Sequence, residues 1–262
     1  MENPSAPVVE TRQGALIGFT EGDTHVWCGI PYAAPPVGQW RWRSPRPPAR
    51  RDGVRPATAF SASSWQSSES CQELGGGDPG QFSEDCLYLN VWSPVARADP
   101  LPVMVWLHGG GFTLGAGGLP PYNGRALAKR GTVVVTINYR LGHLGFFAHP
   151  ALEGEEERVV HNFALLDQIQ ALEWVRDNIA AFGGDPENIT VFGESAGARS
   201  VLSLMASPLA RGLFHKAIVQ SGYTLPDTPR GQAMHKGEAI AAHFGLHNAT
   251  AEQLRAIPPE AF

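Results

Sequence analysis

The 262-residue chain has only three cysteines, Cys28, Cys71 and Cys86. That is too few for the disulfide framework of a small secreted domain, so a fold must rest on a buried core. The first residues, MENPSAPVVETRQGAL, lack a basic region followed by an apolar one, so no secretory signal is expected. No apolar stretch is long enough to cross a bilayer, and no internal repeat is visible. Positive charge is not in excess either: 20 Lys and Arg stand against 25 Asp and Glu, for a net charge of −5. That balance gives no reason to expect nucleic acid or another polyanion as a partner. The expectation is a soluble, cytoplasmic chain without a membrane partner. Its 43% hydrophobic content suffices for one large domain or two small ones. Thirty glycines and 22 prolines without a period point to a loop-rich enzyme.

Residues 8 to 29 alternate short apolar runs with Gly and Asp turns and predict small antiparallel strands. Residues 31 to 85, dominated by Pro, Gly, Ser and Arg, predict loop. From Leu87 onward the pattern changes. Leu87 to Trp92, Val103 to Leu107, Val133 to Ile137, Ile189 to Phe192 and Ala217 to Val219 are short, apolar and β-branched, as strands are. Leu165, Ile169, Leu172, Val175, Ile179 and Phe182 recur at helical spacing over 163 to 182, with Asp167, Gln168, Arg176 and Asp177 mostly off that stripe. Strands alternating with helices imply an α/β fold, a mainly parallel sheet with helices on both faces. Function in such sheets collects at the carboxyl ends of the strands.

Two motifs fall at such ends. ITVFGESAGARS, residues 189 to 200, runs from a strand through Gly-Glu-Ser-Ala-Gly into a helix-compatible segment. G-x-S-x-G suits a serine nucleophile on a sharp turn, because glycines at 193 and 197 avoid clashes that a Cβ would cause. The helix starting at Ala196 would aim free N–H groups and its positive dipole end at the reacting centre. VMVWLHGGGF, residues 103 to 112, runs from a strand into three glycines whose N–H groups can approach an oxyanion. In this order the two motifs are the arrangement used by esterases of the α/β-hydrolase fold.

The sequence resembles the type-B carboxylesterases, a family that includes the cholinesterases and bacterial esterases active on nitrobenzyl esters. The resemblance runs through GIPYAAPPVGQWRWRSP (29 to 45), SEDCLYLNVWSP (83 to 94), HGGGF (108 to 112), NYRLG (138 to 142), NFALLDQ (162 to 168), FGGDPENITVFGESAGA (182 to 198) and QSG (220 to 222). It implies Ser195 as the acyl-forming nucleophile of a carboxylic-ester hydrolase, with an oxyanion hole from the N–H groups of Gly110, Gly111 and Ala196. It implies structural ion pairs Arg41–Glu84 and Arg140–Asp167, and a disulfide between Cys71 and Cys86. The cysteines themselves bracket a Gly-rich loop and could be bridged, but without an export signal reduced thiols are the better default. Cys28, in an apolar run, is expected to be buried and inert. The chain departs from the family at Arg199, where a small residue is usual, and at His161, where glycine is common.

A serine nucleophile needs a histidine base and an orienting carboxylate, which in this fold follow it on loops after later strands. After Ser195 the chain offers His215, His235, His243 and His247, with Asp227, Glu238, Glu252 and Glu260 as acids. None follows a plausible strand, and two helical patterns (231 to 245 and 251 to 257) occupy the end. The expectation is therefore that residues 1 to 262 form the N-terminal portion of a single α/β-hydrolase domain, with acid and base beyond Phe262 and the C-terminal part of the fold missing. Glu194, beside Ser195, is not expected to be the triad acid, and His108 is expected to be structural. A small ester is the expected substrate; no cofactor and no metal are expected, and the oligomeric state is left open. Gly75-x-Gly77-x-x-Gly80 reads as loop, since no strand precedes it and Pro79 interrupts it. The rival from a different class is a truncated, non-catalytic interaction module, which half a sheet with an unpaired edge would favour.

Overall fold

The computed structural model of the chain describes residues 6–97, 100–155, 161–223 and 228–262. The N-terminal apolar runs form β1 (Val8–Thr11), β2 (Gly14–Ile17), β3 (Phe19–Glu21) and β4 (Thr24–Pro31). The Pro- and Gly-rich stretch that follows is mostly irregular, broken by β5 (Val54–Pro56) and the short helix α1 (Ser68–Glu73). β6 (Tyr88–Pro94), β7 (Leu101–Leu107), β8 (Val133–Ile137), β9 (Gly184–Glu194) and β10 (Lys216–Gln220) supply the rest of the sheet. Between them lie α2 (Arg125–Ala128), α3 (Gly142–Gly145), α4 (Phe163–Asn178) and α5 (Ala196–Ala206). α6 (Arg230–His243) and α7 (Ala251–Arg255) end the chain, and among the described residues no strand follows β10.

The main sheet has seven strands in the order β10-β9-β7-β8-β6-β4-β3, and β1, β2 and β5 form a separate three-stranded sheet. β10, β9, β7 and β8 are parallel neighbours, whereas β6, β4 and β3 continue the sheet antiparallel. Of the antiparallel pairs in the main sheet only β3–β4 is a tight hairpin, and the parallel β8-to-β9 and β9-to-β10 connections run through α4 and α5 as crossovers. The core sits where Val103, Val105, Ile189 and Val191 meet Ile169, Leu172 and Val175 of α4 and Val201 and Leu204 of α5. Each such side chain, fully buried, contributes about 1.5–3 kcal/mol. No helix among the described residues is long and apolar enough to cross a membrane.

The expected helix over 163 to 182 divides: α4 ends at Asn178 and a tighter 3-10 turn carries Ile179–Phe182 to Gly183, in the left-handed region at φ 84°. Asp167 and Gln168, expected off the apolar stripe, are both fully buried. The helix is covered on more than one side, so its polar residues find partners rather than water. Gln168 Nε2 donates to Ser200 Oγ at 3.0 Å. Asp167 accepts from Arg140 Nε (2.8 Å), Nη2 (2.7 Å) and the backbone N–H (3.1 Å), tying the end of the loop after β8 to the helix.

The Cys71–Cys86 disulfide implied by the family resemblance is not formed: all three cysteines are free thiols. Cys71 packs on α1 against Ala116 and Leu119, while Cys86 lies in the main core, so the two belong to separate packing clusters. Burial pushes the Cys28 thiol up to about 12, which leaves it protonated and unreactive.

Removing the Asp167 carboxylate would leave the Arg140 guanidinium buried without its counter-charge. Asp167→Ala is expected to cost about 3–5 kcal/mol in urea unfolding; a loss under 1 kcal/mol would mean that this pair does not hold the loop.

Candidate active site

β9 ends at Glu194 and α5 begins at Ala196, so the single residue Ser195 turns the chain from strand to helix, with φ 54° and ψ −117°. A residue with a Cβ held there carries backbone strain of about 1–3 kcal/mol. The turn is held from both sides: Ser195 N–H donates to Gln220 O at the end of β10 (3.0 Å), and Arg199 N–H donates to Ser195 O (3.0 Å). The flanking glycines are there because backbone is in the way. A Cβ on Gly193 would lie 2.5 Å from the Gly197 carbonyl carbon, and one on Gly197 would collide with the Leu107 carbonyl oxygen. The Ser195 hydroxyl makes no side-chain hydrogen bond among the described residues, and the N–H of Ala196, first in its helix, has no acceptor within that helix.

β7 lies beside β9 with Leu107 opposite Gly193, so the glycine loop after β7 rises next to Ser195. A Cβ on Gly109 would sit 2.8 Å from Glu194 Oε2 and 3.2 Å from Ser195 Cβ, which measures how closely loop and turn approach. Gly110 and Gly111 take φ 101° and 61°. Gly110 O accepts from the N–H groups of Thr113 (3.0 Å) and Leu114 (2.9 Å), closing a tight turn, while the N–H groups of Gly110 and Gly111 donate to no backbone acceptor among the described residues. Glu194, with its carboxylate against Gly109, points toward the glycine loop.

His108 is fully buried, stacked on Tyr139 with ring centroids 4.3 Å apart. Its Nδ1 is 2.8 Å from Gly109 O and, since a carbonyl only accepts, carries the proton. Burial lowers its pKa from 6.5 to about 4. The Tyr139 hydroxyl donates to His108 O at 2.6 Å. This neutral imidazole is packed under the glycine loop, its Nε2 buried without a hydrogen-bond partner among the described residues.

The other site candidates fall outside this cluster. Arg41 reaches Glu84 through Nε (2.5 Å) and Nη2 (2.7 Å) and also donates to Ile257 O. Arg199 is half-buried in the first turns of α5, with its backbone carbonyl accepting from Ser203 Oγ. Both ring nitrogens of His161 are buried without a hydrogen-bond partner among the described residues. His215 stands at the amino end of β10, its Nδ1 accepting from Ile189 N–H at 3.2 Å, a strand's length from Ser195. His235 and Glu238 are exposed on α6, and His243 ends that helix against Phe244. Glu252 is on α7 and Glu260 near the chain end; Asp227 lies outside the described residues.

Three residues that lie in the quoted family motifs, where no role is assigned to them, complete the setting. Phe112, at φ 63°, accepts a 2.7 Å hydrogen bond at its carbonyl from Gly142 N–H and packs edge-on against Phe146. Tyr139 props the loop from below, and Gln220 pins the turn. Only positive φ at a non-glycine residue marks Phe112, and sequence does not display that.

The model of the carboxylesterase family matches residues 5–261. The chain belongs to the carboxylesterase family. It is 47% identical over 254 residues to para-nitrobenzyl esterase of Bacillus subtilis (strain 168), covering 97% of this chain and 51% of the relative. It is also 47% identical to fumonisin B1 esterase of Sphingopyxis macrogoltabida, covering 95% of this chain and 46% of the relative. A solved thermophilic para-nitrobenzyl esterase superposes with TM-score 0.91 at 44% identity, covering 98% of this chain and 52% of that structure. The chain thus spans about half the length of the relatives it matches, and its fold is that of an α/β-hydrolase.

Two outcomes follow for this cluster. His108 is expected to stay neutral in ¹⁵N NMR down to about pH 5. Because the unfolded imidazole takes up its proton near 6.5 and the folded one near 4, stability should fall as pH drops through that window. Protonation near pH 6.5 in the folded state would contradict its enclosure. Gly197→Ala should unfold at lower urea, by about 1–3 kcal/mol for overpacking; an unchanged midpoint would show that the turn is not tightly packed.

Proposed function

We propose that this chain is the nucleophile-bearing, N-terminal portion of a single carboxylesterase domain that hydrolyses carboxylic esters. The observation that supports it is the meeting of a strained Ser195 at the end of β9 with the Gly109–Gly111 loop at the end of β7. Ser195 Oγ attacks the ester carbonyl carbon, and the alcohol leaves from an acyl-enzyme, which water then cleaves to the acid. The N–H groups of Gly110, Gly111 and Ala196 receive the negative charge that develops on the carbonyl oxygen. One such donor is worth about 2.7–4 kcal/mol of barrier in acyl transfer. In this reading the histidine base and its carboxylate come from outside residues 1–262. His108 is enclosed, and His215 stands at the wrong end of its strand. Small esters are the substrate class, in keeping with relatives named para-nitrobenzyl esterase and fumonisin B1 esterase.

In the enzyme assembled with base and acid, Ser195→Ala is expected to abolish both hydrolysis of a short-acyl nitrophenyl ester and labelling by a fluorophosphonate. Retention of either by the variant refutes the assignment.

A further inference from the structure

The small sheet of β1, β2 and β5 lies against α4 and encloses a cavity that the ester chemistry does not use. β1 and β2 form a hairpin in which Thr11 faces Gly14, and β5 runs parallel to β2 with Val54 beside Ala15 and Arg55 beside Leu16. Two backbone donors clamp the hairpin. Arg12 N–H donates to Asn178 Oδ1 of α4 (2.8 Å), and Arg51 N–H donates to Gln13 O (3.0 Å). Gly14 makes the second contact possible, since a Cβ there would lie 2.5 Å from the Arg51 carbonyl oxygen. One turn before Asn178 on the same helix stands Trp174, whose carbonyl accepts from Asn178 Nδ2 (2.9 Å).

The hairpin, the start of β5 and Trp174 surround a cavity of about 70 Å³. That is roughly the share of two waters in the liquid. Leu16 and Ile30 give it apolar lining, while Gln13, Arg51 and Arg55 give it polar lining. It is remote from Ser195: β7, β8 and β6 separate β9 from β4, which supplies Ile30.

Two of the lining side chains hold buried polar atoms with no partner among the described residues, Trp174 Nε1 and Gln13 Oε1. Trp174 is only 3% exposed, so its N–H has no ready access to bulk water, and buried donors of this kind are rarely left without an acceptor. The charge beside them is also unmatched. Neither Arg51 nor Arg55 has an ion pair among the described residues. Arg55 donates to Gly29 O (3.3 Å) and lies over the Tyr88 ring. Burial, and then the Arg55 charge, lower the Arg51 pKa from its ordinary value. Asp52, the carboxylate among the lining residues, is exposed to water. Water in the cavity would satisfy the indole and the amide but bring no counter-charge to two neighbouring guanidinium groups. An oxyanion does both.

We propose that this cavity is a binding site for one small, free oxyanion of the phosphate class. Trp174 N–H, the Arg51 guanidinium and the Gln13 amide, turned to present its NH2, are the donors, and Arg55 adds charge. The donors come from a helix, a hairpin and the segment before β5, so they converge from three sides. A tetrahedral ion offers acceptors in as many directions, whereas those of a carboxylate lie in one plane.

The test is a titration of inorganic phosphate, at constant ionic strength, into the assembled protein labelled with fluorotryptophan and followed by ¹⁹F NMR. Trp174→Phe identifies the Trp174 resonance. That resonance is expected to move saturably with phosphate and to stay still when chloride replaces it. Arg51→Gln, at a partly exposed position, should weaken binding by at least about tenfold. Should Trp174→Phe fail to fold, hydrogen exchange of the Arg51 amide, which closes the cavity wall, carries the same measurement; it is expected to slow by about tenfold in phosphate. The proposal is overturned by a Trp174 signal and an Arg51 amide that ignore phosphate, because the cavity then holds water alone. An equal response to chloride, or full affinity in Arg51→Gln, overturns it as well. Tighter binding of methyl phosphate than of phosphate overturns the free ion as guest, since the pocket would then take the end of a larger molecule. The readout needs no turnover, so it stands or fails apart from the hydrolase reading.

Discussion

The backbone of Leu107 lies against Gly193 and Gly197 with no room for a Cβ on either glycine. That close approach sets how near the end of β7 stands to the end of β9. The strand that carries the glycine loop and the strand that carries Ser195 are neighbours in register, so loop and turn emerge at the same height on the same edge. Were β7 one residue out of step, its apolar face would turn from the core to the open side. Two short glycine motifs far apart in sequence are therefore brought side by side by a register that places Val103, Val105 and Leu107 on the core face.

Support for the glycine loop is layered behind it. Arg140, anchored by Asp167, fixes the segment after β8. From that segment Tyr139 reaches the His108 carbonyl and Gly142 reaches the Phe112 carbonyl. The oxygens at both ends of His108–Phe112 are thus held from one neighbouring loop, and the Gly110 and Gly111 N–H groups donate to no backbone acceptor among the described residues. A preorganised donor pair depends on this kind of rigid backing, because donors that must reorient give up part of their advantage during reaction.

How much of this could be read from residues alone differs from part to part. The strands from Leu87 onward and the helix after Asn162 were legible because β-branched runs and a period near 3.6 are local properties. The elbow and the glycine loop were legible because tight turns restrict residue type. The burial of Asp167 and Gln168 was hidden from the stripe pattern, which records only what one face of a helix contacts; α4 is contacted on several. The Cys71–Cys86 bridge came only from the family resemblance; the residues themselves favoured reduced thiols, and the two cysteines are free and pack in different clusters. The supporting roles of Phe112 and Gln220 rest on backbone hydrogen bonds between distant segments, which leave no mark on the identity of either residue, and that of Tyr139 rests on a hydroxyl whose partner carbonyl lies far away in sequence.

Ser195 itself sits at φ 54°, a backbone state in which glycine would be at ease and serine is not. Stability and chemistry therefore pull this position in opposite directions. A chain chosen only for resistance to unfolding would carry glycine there, and the fold would relax. Keeping an oxygen at the tip of the turn means accepting a permanently tense joint between β9 and α5. Tension of this kind is tolerable only where the surroundings are stiff. The close-packed glycines, the Gln220 hydrogen bond and the core beneath α5 are thus what hold a serine in a backbone state that suits glycine.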